Sequence, residues 1–425
     1  MRLDADLAGR LAVDEQLWRD FNDICDCGGR LSGTESEKRA FALLRERVRA
    51  ASPANSGRSI PVPYAGWRAK SAILKLADGS FAACHPLVRT IATGASGLTA
   101  EVIDIGRGTP EEFEAHKAEL NGRIVLVRHE LMFAAGTIHR RRKYDMARAN
   151  GAVGFLIAGP LAGHVVAGSS GRDAGEGIPA LGVAPETAAK LARRAAGFPK
   201  VTITIETDEG PAETETLVYD YPGQTDEWVV LSAHVDGHDL AESAMDNGTG
   251  LASVLAVTRA LAPHVASFRR GLRVMFFSVE EWALTGSAQY VQALSEAERA
   301  KIALNVNLDS VAGSPYLAAL TSGFGGVERF LLEVAEANGQ NLRTVRPLMT
   351  NSDHANFAAG GIPAIRLVAG FDDPAAHLRV VLTPADTRDK VAQSELRQAT
   401  LLTAALVAAA CNADPAEAAH WRVRP

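Results

Sequence analysis

Beyond about residue 212 the apolar positions gather into short continuous runs, separated by longer stretches with helical spacing. The runs are Trp228 to Ala233, Leu272 to Val279, Ile302 to Leu308, Thr344 to Leu348 and Pro363 to Val368. A strand without polar alternation is one covered on both faces. Helices are predicted between the runs, at about Gly250 to Leu261, Ser287 to Leu294, Val327 to Asn338 and Ala355 to Gly360. A long helix from about Arg388 to Cys411 closes the chain. Strand and helix in alternation predict an α/β fold of three layers around a mixed, mostly parallel sheet.

The chain ahead of this region reads differently. Residues 1 to about 52 have helical spacing, and Thr34 with Glu37 forms a capping-box pair ahead of Ala40, Leu43, Leu44 and Val48. The segment from Gly28 to Ala40 links two helices. From Ser59 to about Arg89 the pattern is short strands, with a turn at Ala77-Asp78-Gly79. Residues 97–211 form a separate β-rich block. It holds buried strands at Gly122 to Val127 and Gly154 to Ala158, and a helix from Arg140 to Asn150 stopped by Gly151. A run from Gly177 to Val183 then precedes a helix from Glu186 to Arg194. The division expected is 1–96, an insertion at 97–211, and 212–425. The basic run His139 to Lys143 reads as a solvated helix face, because it lacks the interleaved aromatics of a nucleic-acid binder.

Composition narrows the classes. The 425 residues are 47% hydrophobic and 22% charged, ordinary for a globular protein. A net charge of -6 gives no reason to expect nucleic acid or an anionic membrane as partner. The apolar stretch Leu401 to Cys411 is too short to span a bilayer. The start of the chain lacks a basic stretch followed by an apolar core, so a cytoplasmic setting is expected, or a secreted one if a leader has been trimmed. Cys25, Cys27, Cys84 and Cys411 have no metal-site spacing and read as buried thiols. An oligomer is compatible with this composition.

The chemistry collects at strand ends. The first run leads into His234 and Asp236, the second into Glu280 and Glu281, the third into Asp309, and Asp246 lies in the loop after the first. Charged groups at the ends of buried strands are costly unless paired or bound to a cation. One imidazole with several carboxylates at the rim of a sheet suits Zn²⁺ with nitrogen and oxygen ligands. Asp236, two residues after His234, has the spacing of a carboxylate that orients a metal-bound imidazole.

An ordered set of short motifs makes the resemblance specific. It comprises His234-Val235-Asp236, Asp246-Asn247-Gly248-Thr249-Gly250, Glu280-Glu281 with Gly286-Ser287, Leu308-Asp309, Ser352-Asp353-His354, Gly361-Ile362-Pro363-Ala364 and Asp386-Thr387. The chain resembles the zinc metallopeptidase family of bacterial leucyl aminopeptidase and carboxypeptidase Q, whose divergent branch includes glutaminyl cyclase. Residues 97–211 resemble its protease-associated insertion, which would shape the cleft. The resemblance implies a hydrolase of peptide or related amide bonds, with peptides or acylated amino acids as substrates and an aminopeptidase-like exopeptidase as the leading form. It implies Asp246 as the ligand shared by two Zn²⁺, His234 and Asp309 on one, Glu281 on the other, and Glu280 as general base with Asp236 behind the ligands. It also implies a cis peptide after Asp246.

The chain departs from the family at one place. The family's last histidine position holds Leu382, which cannot ligate zinc. His377 is the expected replacement ligand, and a centre with one zinc is the alternative, with His238 and His354 as further candidates. A one-zinc amide hydrolase or cyclase, or an inactive binding member, is the alternative function.

Overall fold

The computed structural model describes residues 1–172 and 175–424. Its described strands form one sheet of fourteen. The centre of the sheet is Trp228–His234, flanked in parallel by Gly271–Phe277 and Ile302–Leu308. Ala364–Ala369 continues parallel beside Ile302–Leu308. Leu317–Leu320 then runs antiparallel to Ala364–Ala369 and carries Leu342–Val345 at the edge. These strands form one half of a mixed, mostly parallel sheet.

Burial explains the uninterrupted apolar runs. Val229, Val230 and Leu231 have no solvent exposure, and each such side chain stabilises the fold by about 1.5–3 kcal/mol. Helix Thr249–Leu261 covers the centre of the sheet and is buried over most of its surface. The long helix Gln393–Asn412, which a short helix Pro415–His420 follows, packs against it. Helices Thr285–Ala293 and His354–Ala359 pack together, away from Thr249–Leu261. No helix among the described residues is long and apolar enough to cross a membrane.

On the other side of Gly271–Phe277 the sheet passes into the inserted block through one long strand. Lys200–Tyr221 pairs antiparallel with Gly271–Phe277 at its carboxyl end and with Leu98–Asp104 at its amino end. Beyond it follow Ile124–Arg128, Gly154–Ala158 and Ala180–Val183, all parallel, and then Cys84–Pro86. The expected boundary at 211/212 therefore falls inside a continuous strand.

The short strands expected after Ser59 are instead one strand, Arg58–Leu76. It pairs with Lys200–Tyr221 from Arg58 opposite Val218 to Leu76 opposite Val201, with an irregularity between Ala69 and Ser71. Pro61, Pro63 and Gly66 look like breaks in the sequence. Among the described residues the other edge of this strand meets a partner strand only at Leu74 and Lys75, and an edge tolerates proline. Leu98–Asp104 and Leu317–Leu320 were not evident from the sequence; the first is buried only in part along its length, and the second has four residues.

Candidate metal centre

The site forms where parallel strands end. Asn307 lies opposite Ser232 in the register of Ile302–Leu308 against Trp228–His234, and continuing that register brings Asp309 level with His234. Phe277 lies opposite His234 on the other side, so the chain that follows it delivers Glu280 and Glu281 to the same rim. Asp246 arrives from the loop between His234 and helix Thr249–Leu261. The peptide between Asp246 and Asn247 is cis, as the family resemblance implies.

Side-chain donors converge there. His234 Nε2 is 3.2 Å from Asp246 Oδ1 and 3.8 Å from Asp309 Oδ1. One donor atom from each of His234, Asp246 and Asp309 lies within 4.8 Å of the other two, a grouping fit to hold an ion. His234 Nδ1 donates to the Asp236 backbone carbonyl at 2.9 Å, which leaves Nε2 as the ring atom that faces the carboxylates. That nitrogen is buried without a hydrogen-bond partner, and so is Glu281 Oε1. Burial alone would lower the basicity of His234, but Glu280, Asp246 and Asp309 outweigh it and hold the imidazole well above its usual range. The local field thus favours positive charge at this point, and the residues fit a divalent cation.

The carboxylates differ in environment. Burial pushes Glu280 well up, with Glu281 adding to the effect and His234 opposing it. Burial and then Asp246 push Glu281 up to about 8. Burial would also raise Asp309, but Arg366, with Nη2 3.1 Å from Asp309 Oδ1, and His234 hold it well below the usual carboxylate range. Asp309 is therefore a stable anion suited to a ligand role.

The loops are held by buried polar groups. The Asp236 carboxylate accepts the backbone N–H of Glu280 and of Glu281, each at 3.1 Å, and the Ser32 hydroxyl at 3.1 Å. The sequence suggested that this carboxylate orients His234. Its nearest approach to His234 Nδ1 is 3.9 Å, and the backbone carbonyl does that work. Asp386 accepts the Met245 N–H at 2.8 Å and the Asp246 N–H at 3.4 Å. Asn247 donates to the Leu308 carbonyl at 2.8 Å and so ties the Asp246 loop to the strand that carries Asp309. Arg30, fully buried, donates to the carbonyls of Val235, Glu242 and Ser243 at 2.7–2.8 Å. Sequence reasoning missed Arg30. Its only signal is an arginine between glycines in a segment read as a linker.

The other candidate histidines, His377, His238 and His354, do not join this grouping. His377 is exposed, and its Nδ1 donates to the Lys390 carbonyl at 2.7 Å. It does not line the cavity above the centre, so the structure does not bring the expected replacement ligand to the site. The short turn His377–Val380 directs Leu378 and Val380 inward instead. His238 receives the Leu240 N–H at Nδ1, and burial lowers it to about 4. Both ring nitrogens of His354 are buried without a hydrogen-bond partner, and His354 is absent from the grouping that would hold an ion.

The cavity over the centre measures about 60 Å³. Asp246, Glu280, Glu281 and Asp309 line it, with Leu382 and Arg366 beside them. Its remaining wall includes Phe133, His139, Arg140 and Ser169 of the inserted block. The basic run is thus only in part a solvated face: Arg142 is exposed, but two of its members are buried. Arg140 is 4% exposed and Lys143 is fully buried. Lys143 pairs with Glu130 at 2.6 Å, and Arg140 Nε donates to the Ser169 carbonyl at 2.6 Å.

Comparison with known proteins agrees with this geometry. Residues 216–407 match the sequence profile of peptidase family M28, and residues 85–191 match that of the PA domain. The probable lipoprotein aminopeptidase LpqL of Mycobacterium tuberculosis is 25% identical over 346 residues, 75% of this chain, which spans 66% of that protein. Aminopeptidase YwaD of Bacillus subtilis is 24% identical over 392 residues, 89% of this chain and 81% of its own. A solved structure of BSAP, a zinc aminopeptidase from Bacillus subtilis, shares the fold with a TM-score of 0.74 at 22% identity, covering 95% of this chain and 96% of its own.

Proposed function

From the match of residues 216–407 to peptidase family M28 and of residues 85–191 to the PA domain, we propose that this chain is a zinc-dependent, aminopeptidase-like exopeptidase. The observation that carries the reading is the set of donor atoms from His234, Asp246 and Asp309 within 4.8 Å, beneath a cavity lined by Glu280. His234, Asp246 and Asp309 would hold the zinc. When bound, zinc supplies Lewis acidity that lowers the pKa of water and polarises a carbonyl.

The protein's own groups do the rest. Glu280, raised by burial, is suited to take a proton from the attacking water at a carboxylate oxygen and return it to the departing amine. Asp236 positions that carboxylate through the Glu280 and Glu281 amides. Arg366 keeps Asp309 ionised. The match to peptidase family M28 and the likeness to aminopeptidases favour an exopeptidase. The carboxylates on the floor of the cavity favour a free α-ammonium group. The block expected at 97–211 closes the cavity from the side opposite the sheet, so its proposed role is to limit access.

The test is hydrolysis of aminoacyl anilides alongside N-acylated and C-terminal dipeptide substrates, before and after removal of zinc. Cleavage of the free-amine substrates, abolished by chelation and restored by zinc, supports the reading. Zinc-loaded protein that cleaves only the acylated substrates would move the assignment to an acylamino-acid hydrolase.

A further inference from the structure

The Glu281 side of the cavity has no set of donors for a second ion. Among the described residues, His234, Asp246 and Asp309 are the one grouping of three suited to hold a metal. Glu281 lines the cavity with Oε1 buried and without a hydrogen-bond partner. The wall position where an imidazole would complete such a site is Leu382, 1% exposed. His377 points elsewhere, to Lys390.

A guanidinium is built into this cavity instead. Arg140 begins helix Arg140–Ala149 of the inserted block and lines the cavity together with Asp246, Glu280, Glu281 and Leu382. The block holds it from several directions. Nε donates to the Ser169 carbonyl, and Nη1 faces His129 Nε2 at 3.3 Å. Gly168 leaves the space that the group fills, since a Cβ there would lie 2.3 Å from Nη2. The same segment is fixed to the catalytic half next to the substituted position, where the Ala167 N–H donates to the Leu382 carbonyl at 2.7 Å. A buried cation is costly unless anions face it, and the anions that face Arg140 across the cavity are Glu281, Glu280 and Asp246.

We propose that the centre holds a single divalent ion and that the Arg140 guanidinium supplies the positive charge on the Glu281 side in place of a second one. The inserted block then contributes part of the charge balance of the site as well as its wall. Leu382 and Arg140 act as a pair in this arrangement: one removes the ligand, the other removes the need for the ion. This inference rests on the zinc reading of His234, Asp246 and Asp309.

The test is metal stoichiometry, read by elemental mass spectrometry after equilibration with excess zinc and dialysis. One zinc per chain is expected for the unmodified protein and for Leu382→His, because the Arg140 charge still faces the Glu281 side. Two are expected for Arg140→Met combined with Leu382→His, and spin coupling in the cobalt(II)-loaded form of that double variant would place the two ions side by side. Two tightly held zinc ions in the unmodified chain would overturn the proposal. A folded double variant that stays at one also overturns it, while leaving the zinc reading intact. No zinc in the unmodified chain removes both. Zinc-soaked crystals of the unmodified protein need no variant: one anomalous peak among His234, Asp246 and Asp309 supports the proposal, and a second beside Glu281 refutes it.

Discussion

The Asp236 carboxylate accepts the backbone N–H of Glu280 at 3.1 Å, and its other oxygen accepts that of Glu281 at the same distance. The residue that gives its backbone carbonyl to His234 thus gives its side chain to the proton-transfer loop. Asp236→Ala removes both side-chain acceptors and leaves His234 Nδ1 with its partner. Activity is expected to fall about 10–100-fold, with zinc still bound. Unchanged kcat/KM in the variant would show that the two amides need no anchor.

Glu280 is placed to move protons and is absent from the grouping that would hold the ion. Glu280→Gln keeps the size and removes the basic oxygen. A loss of about 10²–10⁴-fold in kcat is expected, with zinc content and KM little altered. Elemental analysis alongside steady-state kinetics separates the outcomes. Zinc lost together with activity would make Glu280 a ligand and leave the proton carrier unassigned.

Much of this site is legible before folding, because apolar runs that end in His234, Glu280 and Asp309 mark strand ends that a parallel sheet must bring together. What escapes the sequence depends on contacts between distant segments. A loop arginine has no periodicity, so nothing in Gly28-Gly29-Arg30 announces that Arg30 will hold three carbonyls more than two hundred residues away. Arg140 sits in a basic run, where exposure is the reasonable expectation, and its burial follows from the inserted block folding over the sheet rim. Pro61, Pro63 and Gly66 conceal a strand because its free edge removes the usual objection to them. His377 shows the reverse error: closeness in sequence to a missing ligand did not place it at the site.

Arg30 carries the clearest stability expectation. Arg30→Met fits an apolar chain into a site where three carbonyls, those of Val235, Glu242 and Ser243, would lose their donors. Buried acceptors left unpaired are costly, and a loss of about 3–5 kcal/mol is expected. Urea unfolding of the metal-free protein measures it directly. A shift under about 1 kcal/mol would mean that water replaces the guanidinium without penalty.

Zinc should stabilise the fold more as the pH rises. In the metal-free protein burial raises Glu281 to about 8, and Glu37, Asp353 and Asp386 each to about 7. A carboxyl raised on folding binds more protons in the native state than in the unfolded chain, so metal-free stability falls as pH climbs from the ordinary carboxylate range toward 8. A divalent cation reverses this near the centre, since its ligands bind it when deprotonated. Thermal unfolding between pH 5 and 8 should therefore show the chelated protein losing stability, while the gap between zinc-loaded and chelated protein widens. A gap that stays constant across that range would mean that the ion displaces no protons, and the crowded carboxylates would then not be the groups that receive it.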